Sequence, residues 1–232
     1  MNHSLVTFAV KEESQPFLRW LLKSEVGRIL AAPVGGPSTS ERETPHKVNL
    51  VLTGIGPRNA QRVLHRTLTG PLPRRVLTCG FAGGLNPDLP VGTVLFSADE
   101  NFDLTVPLLA ARACPACFHR ADRVIVTAAE KRALRQMTGA DAVDMESGVI
   151  RAICKERGIP SATVRVISDA ADEDLPLDFN RLMDADARLR YDRLVVELLK
   201  SPRRIRALIK MGFRTRRASG ELANVLTSLF AS

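Results

Sequence analysis

Arg75-Val76-Leu77-Thr78-Cys79-Gly80-Phe81-Ala82-Gly83-Gly84-Leu85 is the stretch on which the fold turns. Its first half is short, apolar and β-branched, as a strand requires, and its second half reads as a glycine-rich turn. A further strand, Thr93-Val94-Leu95-Phe96, flanks that turn on its far side. Outward from this core, Leu5 to Val10 and Val48 to Thr53 are strands of the same kind, each ended by polar or glycine punctuation, and Ala162 to Ile167 is the last clear one. Helical spacing fills the intervals. Phe17, Leu18, Leu21, Leu22 and Val26 predict a helix over Pro16 to Leu30, and Val124-Ile125-Val126 precedes a polar helix from about Ala128 to Gln136. Val143 leads into a helix with Val149, Ile150, Ile153 and Cys154 on one face, closed by Gly158 and Pro160. Residues 33 to 46, rich in Gly, Pro, Ser and Thr, read as a flexible surface loop. Strands alternating with helices predict an α/β three-layer sandwich with a central mixed sheet.

A chain of 232 residues with 45% hydrophobic content can bury a full core in one domain, expected over residues 1–200, followed by a basic helical tail over 201–232. No basic region precedes an apolar run at Met1-Asn2-His3-Ser4, and no stretch approaches the roughly 18 apolar residues that span a bilayer. The expected location is the cytoplasm. Cys114-x-x-Cys117 with His119 nearby raises zinc or redox chemistry, but a second ligand pair is missing and the motif does not open a helix after a first strand. Reduced, incidental thiols and no metal are expected. Gly54-Ile55-Gly56 invites a dinucleotide reading, yet Asn59 stands at the third fingerprint position and no acid follows about 20 residues on. The turn either serves the chain alone or, through Gly56, Arg58 and free N–H groups, approaches an anionic or ribosyl ligand.

The net charge of +8 belongs mostly to the tail, where seven cations face the single acid Glu221. Leu222, Val225, Leu226, Leu229 and Phe230 repeat there at helical spacing, after Ile205, Leu208 and Ile209 set among arginines. Two uses fit: packing on the domain or on a partner subunit, or attachment to an anionic membrane surface. Phe213 is the one aromatic among the tail's basic residues, so the interleaved stacking pattern of nucleic-acid binders is missing.

Ala142-Val143-Asp144-Met145-Glu146-Ser147 and Ile167-Ser168-Asp169-Ala170-Ala171-Asp172, downstream of the glycine-rich stretch, complete a pattern that resembles the nucleoside phosphorylase and nucleosidase superfamily. The likeness runs roughly from Leu5 to Phe179 and is weak between about Asp99 and Ala121. Within the superfamily, the chain looks most like nucleosidases acting on methylthioadenosine and S-adenosylhomocysteine, and like hopanoid-associated phosphorylase-like proteins. The resemblance implies an enzyme that releases adenine from a 5′-modified adenosine, without metal or organic cofactor, in a homo-oligomer of two or more chains. Breaking that bond needs an acid near the base, a grip on the ribose and a positioned water or phosphate.

The resemblance distributes these tasks. Asp169 would protonate N7 of the purine, with desolvation raising its pKa toward neutrality, where its own chemistry also allows a mere turn cap. Glu146 would accept from both ribose hydroxyls, which suits two carboxylate oxygens, or serve as a first-turn acid of a helix. Met145 would pack on the sugar and Phe179 near the 5′ side. Glu13, with Arg165, would orient the attacking water, although neighbouring Glu12 competes for that register.

Two positions depart from the pattern. Phe81, after Gly80, stands where the nucleosidases carry serine, and Thr78 where hexameric bacterial phosphorylases carry an arginine clamp. Hydrolysis is therefore favoured over phosphorolysis, with inorganic phosphate bound by Arg58 as the remaining route. Glu130 to Ala140 resembles the hopanoid-associated proteins, implied to act on adenosylhopane, whose lipid would suit a basic tail. The rival expectation is a non-catalytic nucleoside binder in which Phe81 closes the nucleophile site.

Overall fold

Successive side chains of a strand point to opposite faces, and β1 (His3–Phe8) puts Val6 and Phe8 into one core and Leu5 into another. In this computed structural model, which describes residues 3–24, 27–29, 47–182, 184 and 202–231, helices cover both faces. On one side, Phe17 and Leu21 of α1 (Lys11–Lys23) pack with Leu222, Leu226, Leu229 and Phe230 from the long C-terminal helix. On the other, Ala60 and Leu64 of α2 (Pro57–Thr67) meet Ile150 and Ile153 of a later helix. Burial on both faces is why these strands read as continuous apolar runs.

The remaining elements follow in chain order. They are β2 (Gly27–Ile29), β3 (Lys47–Leu52), β4 (Arg75–Gly84), β5 (Val94–Ala98), α3 (Thr105–Ala110), β6 (Cys114–Pro115), β7 (Phe118–Arg120), α4 (Ala128–Thr138), β8 (Ala142–Asp144), α5 (Ser147–Glu156), β9 (Ser161–Asp169), α6 (Phe179–Leu182) and α7 (Pro202–Phe230). Among the described residues the strands form one nine-stranded sheet in the order β2-β3-β1-β4-β9-β5-β6, with β8 paired to β4 and β7 to β8. It is mixed: β5 runs antiparallel to β9 and β8 antiparallel to β4.

Three local expectations change. Cys79 to Gly84 is not a turn but the second half of β4, paired with β9 as far as Gly83. The missing side chain at Gly80 serves close approach instead, because a Cβ there would collide with the Arg165 guanidinium and the Glu13 carboxylate. The helix expected over Pro16 to Leu30 is α1, beginning at Lys11 and ending at Lys23, followed by β2 beside β3. Ser24, with φ −94° and ψ 151°, leaves the helical conformation and ends α1. Leu22, counted on the apolar stripe, is exposed. Val26, Leu30 and the loop anticipated at 33 to 46 lie outside the described residues.

The basic tail divides in two. From Ala218 onward α7 is part of the main core, and each of Leu222, Leu226, Leu229 and Phe230 contributes about 1.5–3 kcal/mol by leaving water. Its first half exposes Ile205, Ile209 and Phe213 together with Arg206 and Lys210. Among the described residues, no helix is long and apolar enough to cross a membrane.

Candidate active site at the carboxyl ends of the strands

In open α/β sheets the carboxyl ends of the strands form the crevice in which ligands bind. Here the segments leaving β1, β3, β4, β8 and β9 surround a cavity of about 330 Å³, reached also by Val124, Ile125, Leu175, Phe179 and Met211. Its lining combines the carboxylates of Glu13, Asp144, Glu146 and Asp169 with apolar side chains.

Glu13 stands at the third position of α1 and is buried. Its Oε2 accepts from the Ala9 and Val10 N–H groups at 3.0 and 3.1 Å, and its Oε1 from Phe81 N–H at 2.9 Å. The carboxylate thus fastens the start of α1 to β4. Burial pushes its pKa up to about 7, against the pull of Arg165 and of the Phe81 N–H. Glu12, its rival in the sequence, is exposed and outside this cavity.

Arg165 lies across the floor, 1% exposed. Its Nη2 sits 2.7 Å from Asp144 Oδ2 and 3.4 Å from Glu146 Oε2, and also donates to Thr78 Oγ1 at 3.4 Å; its Nη1 donates to the Cys79 carbonyl at 3.3 Å. Burial lowers its pKa, but the carboxylates of Asp144, then Glu146 and Glu13, outweigh that and hold it above the usual arginine value. Glu146 accepts from Gly56 N–H at 2.8 Å through Oε1, and burial raises its pKa in spite of Arg165. Gly56, with φ 86°, caps α2 in a conformation only glycine adopts without strain. The hydrogen bond ties this turn to Glu146 on the cavity wall.

Asp169 ends β9 next to an irregularity in pairing: Ala82 is opposite Ile167 and Gly83 opposite Asp169, so Ser168 is an extra residue. Such a bulge redirects side chains, and both Ser168 and Asp169 line the cavity. Desolvation alone was the environment expected for Asp169. Instead, Lys131 of α4 places its ammonium 2.5 Å from Asp169 Oδ2, while Ser168 Oγ donates to Oδ1 at 2.7 Å.

The cavity gathers Asp169, Glu13, Glu146, Met145, Phe81 and Phe179, with Arg165, Gly80 and Gly56 directly behind its walls. Arg58 is the exception: it is exposed on the first turn of α2, away from the lining. Asp144 and Lys131 were not singled out from the sequence, nor were Arg123, Leu175 and Met211. Asp144 had a signal, its place inside the acidic segment, and it anchors Arg165 while accepting from Ser147 N–H at 2.9 Å and Ser147 Oγ at 2.6 Å. Lys131 had none in a helix of ordinary polar composition. Cys114 and Cys117 are exposed, and Cys79 and Cys154 buried.

Glu13 and Arg165 crowd Gly80, while Asp169 lies against Gly83 on the same strand. At about 3.3 Å per residue those two glycines are roughly 10 Å apart along β4. Glu13, whose pKa burial raises to about 7, and a second carboxylate, Asp169, thus line one cavity, a grouping that suits proton transfer.

The chain belongs to the phosphorylase superfamily, whose family model matches residues 42–133 and 111–200. Relatives include the 5′-methylthioadenosine/S-adenosylhomocysteine nucleosidase of Geobacillus kaustophilus, 27% identical over 60% of this chain and 74% of the relative. The enzyme of the same name from Actinobacillus succinogenes is 28% identical over 67% of this chain and 82% of its own. Among solved structures, futalosine hydrolase of Helicobacter pylori superposes with a TM-score of 0.67 at 18% identity, covering 98% of this chain and 97% of its own. The nucleosidase of Neisseria meningitidis, bound to methylthio-immucillin-A, gives 0.67 at 20% identity over 99% and 98%. These superpositions establish the α/β fold with its central mixed sheet.

Proposed function

We propose that this protein is an N-glycosidase that hydrolyses a 5′-substituted adenosine and releases adenine. The observation that carries the reading is the one cavity lined by Asp169, Glu13 and Glu146, with Arg165 paired to Glu146 behind its wall. Glu13, held near neutrality, takes a proton from water as the nucleophile forms. Glu146 turns its oxygens to the ribose hydroxyls, with Arg165 and the Gly56 N–H keeping it in place. Asp169 delivers a proton to N7, so the base leaves neutral. The names of the related nucleosidases, which specify methylthioadenosine and S-adenosylhomocysteine, support a purine nucleoside substrate.

Water rather than phosphate is the proposed nucleophile. Of the lining cations, Arg123 is paired with Glu130 and Arg165, behind the floor, with Asp144 and Glu146, while Arg58 points elsewhere. Phe81, at the position where the resemblance implies serine in the nucleosidases, lines the cavity without a hydroxyl.

The 5′ substituent is proposed to be apolar, facing Val124, Ile125, Leu175, Phe179 and Met211. A cavity of about 330 Å³ suits a nucleoside. A polycyclic lipid such as that of adenosylhopane would leave through its mouth toward the exposed Ile205, Ile209 and Phe213 of α7, where peripheral contact with anionic membrane is part of the same proposal. Vesicles of anionic lipid should sediment the wild type, and Ile209→Asp/Phe213→Asp should abolish that; equal sedimentation rejects the membrane contact.

The decisive assay is adenine release from adenosine, methylthioadenosine and a long-chain 5′-alkyl adenosine, with and without phosphate. Release independent of phosphate, strongest with the apolar 5′ groups and lost in Asp169→Asn, is expected. Tight adenosine binding without release would replace the enzyme reading with a non-catalytic binder, the role a phenylalanine at position 81 favours.

A further inference from the structure

A buried ammonium is costly unless its protons are matched and a counter-charge is close. Lys131 is fully buried, and its Nζ meets three acceptors: Asp169 Oδ2 at 2.5 Å, the Ala170 carbonyl at 2.7 Å and the Glu173 carbonyl at 3.0 Å. An ammonium has three donors, so this set is complete. Two of the acceptors belong to the main chain directly after Asp169. One cation therefore holds both the carboxylate and the turn that carries it away from β9. Ser168 Oγ takes the other oxygen, which fixes the carboxylate plane. Beyond the turn, the Glu173 carboxylate is paired with Arg214 of α7, one turn from the cavity-lining Met211.

We propose that Lys131 is the positioning residue of the general acid. The inference rests on the assignment of Asp169 as the proton donor. Lys131 orients the carboxyl group toward the base and stabilises the carboxylate that remains after transfer. In that step the Asp169 O–H bond breaks, an N7–H bond forms, and the electron pair of the glycosidic bond moves onto the base. Lys131 keeps its own protons throughout, and once adenine has left the proton that Glu13 took from the attacking water is given up to solvent while solvent reprotonates Asp169, so that no net proton is gained or lost.

A role exercised through the acid predicts a dependence on the leaving group. Adenine needs protonation to depart, whereas 4-nitrophenolate does not. With Lys131→Gln, which removes the charge and shortens the side chain by one bond, kcat for adenosine should fall by about 10- to 100-fold, the scale of a misplaced catalytic group. KM should stay within about threefold, and hydrolysis of 4-nitrophenyl β-D-ribofuranoside should be nearly unchanged, since only transition-state contacts to the base are lost. The double variant Lys131→Gln/Asp169→Asn removes both charges together, which keeps the comparison available where the single variant does not fold. It should match Asp169→Asn alone with both substrates.

Equal losses with both substrates would make Lys131 a structural residue only, and no loss with either would remove its role altogether. An additive double variant would likewise overturn the inference. If Asp169→Asn itself does not discriminate between the substrates, the acid assignment fails. If wild type cleaves neither, the N-glycosidase reading fails, and the role of Lys131 falls with it.

Discussion

Glu13→Gln isolates the consequence of burying a carboxyl group beside Arg165. Burial raises its pKa from 4.5 to about 7, so the native protein holds this proton more tightly than the unfolded chain does. Below pH 4.5 both states are protonated and the difference is without effect. Between 4.5 and about 7 the unfolded chain releases its proton first, so stability falls as pH rises; above that both are ionised and the loss is complete. At 1.36 kcal/mol per unit the full loss is about 3 kcal/mol, most of it accrued between pH 4.5 and about 7. Glutamine does not titrate and escapes this loss. It brings a separate cost, since an amide must turn its NH2 toward a backbone N–H among those of Ala9, Val10 and Phe81, worth about 1–3 kcal/mol. The variant should therefore be less stable than wild type in acid, with the gap closing or reversing by about 2–3 kcal/mol in alkali. Urea unfolding of both proteins at matched pH values reads that swing directly. A gap constant to within about 0.5 kcal/mol would show that Glu13 is not desolvated as described, and with it would go the base role. Activity supplies the second half: kcat/KM should rise through about pH 7 in wild type and be lost in Glu13→Gln, but not in Glu12→Gln.

Other perturbations test the remaining walls. Asp144→Asn removes the nearest counter-charge of buried Arg165 and should destabilise by about 3–5 kcal/mol, measured by thermal or urea unfolding. Gly80→Ala drives a Cβ into Arg165 and Glu13 and should cost about 1–3 kcal/mol together with most of the activity; an alanine variant of normal melting temperature would refute the close approach. Leu226→Ala should cost about 2–5 kcal/mol, whereas Ile209→Ala on the exposed half of α7 should stay within about 0.5 kcal/mol, and the contrast reads the division of that helix.

The sheet was legible because β1, β3, β4 and β9 bury both faces and advertise it as apolar runs. The site was legible through acidic residues at strand ends, although their roles came from resemblance rather than from spacing. What escaped was set by partners distant in the chain. Gly80 reads locally as a turn, and the charges that need its empty space come from α1 and β9. Lys131 looks like any solvated helix lysine until β9 brings Asp169 against it. Arg58 shows the opposite error: it stands beside a turn that does reach the cavity, yet the helix carries its side chain outward. The apolar residues of α7 fit packing and membrane equally by period, and only the fold assigns the later ones to the core.

Because Glu13 and Asp169 both lie against β4, one central strand sets the spacing of the proposed base and the proposed acid. The surfaces proposed to meet the 5′ group come from elsewhere: the segment before α4, the turn leading to α6, and α7. Reach across the scissile bond and choice of substituent are therefore separately adjustable. Residues 124, 125, 175, 179 and 211 can be exchanged as a set to retarget the protein while the ruler that spaces acid from base goes untouched.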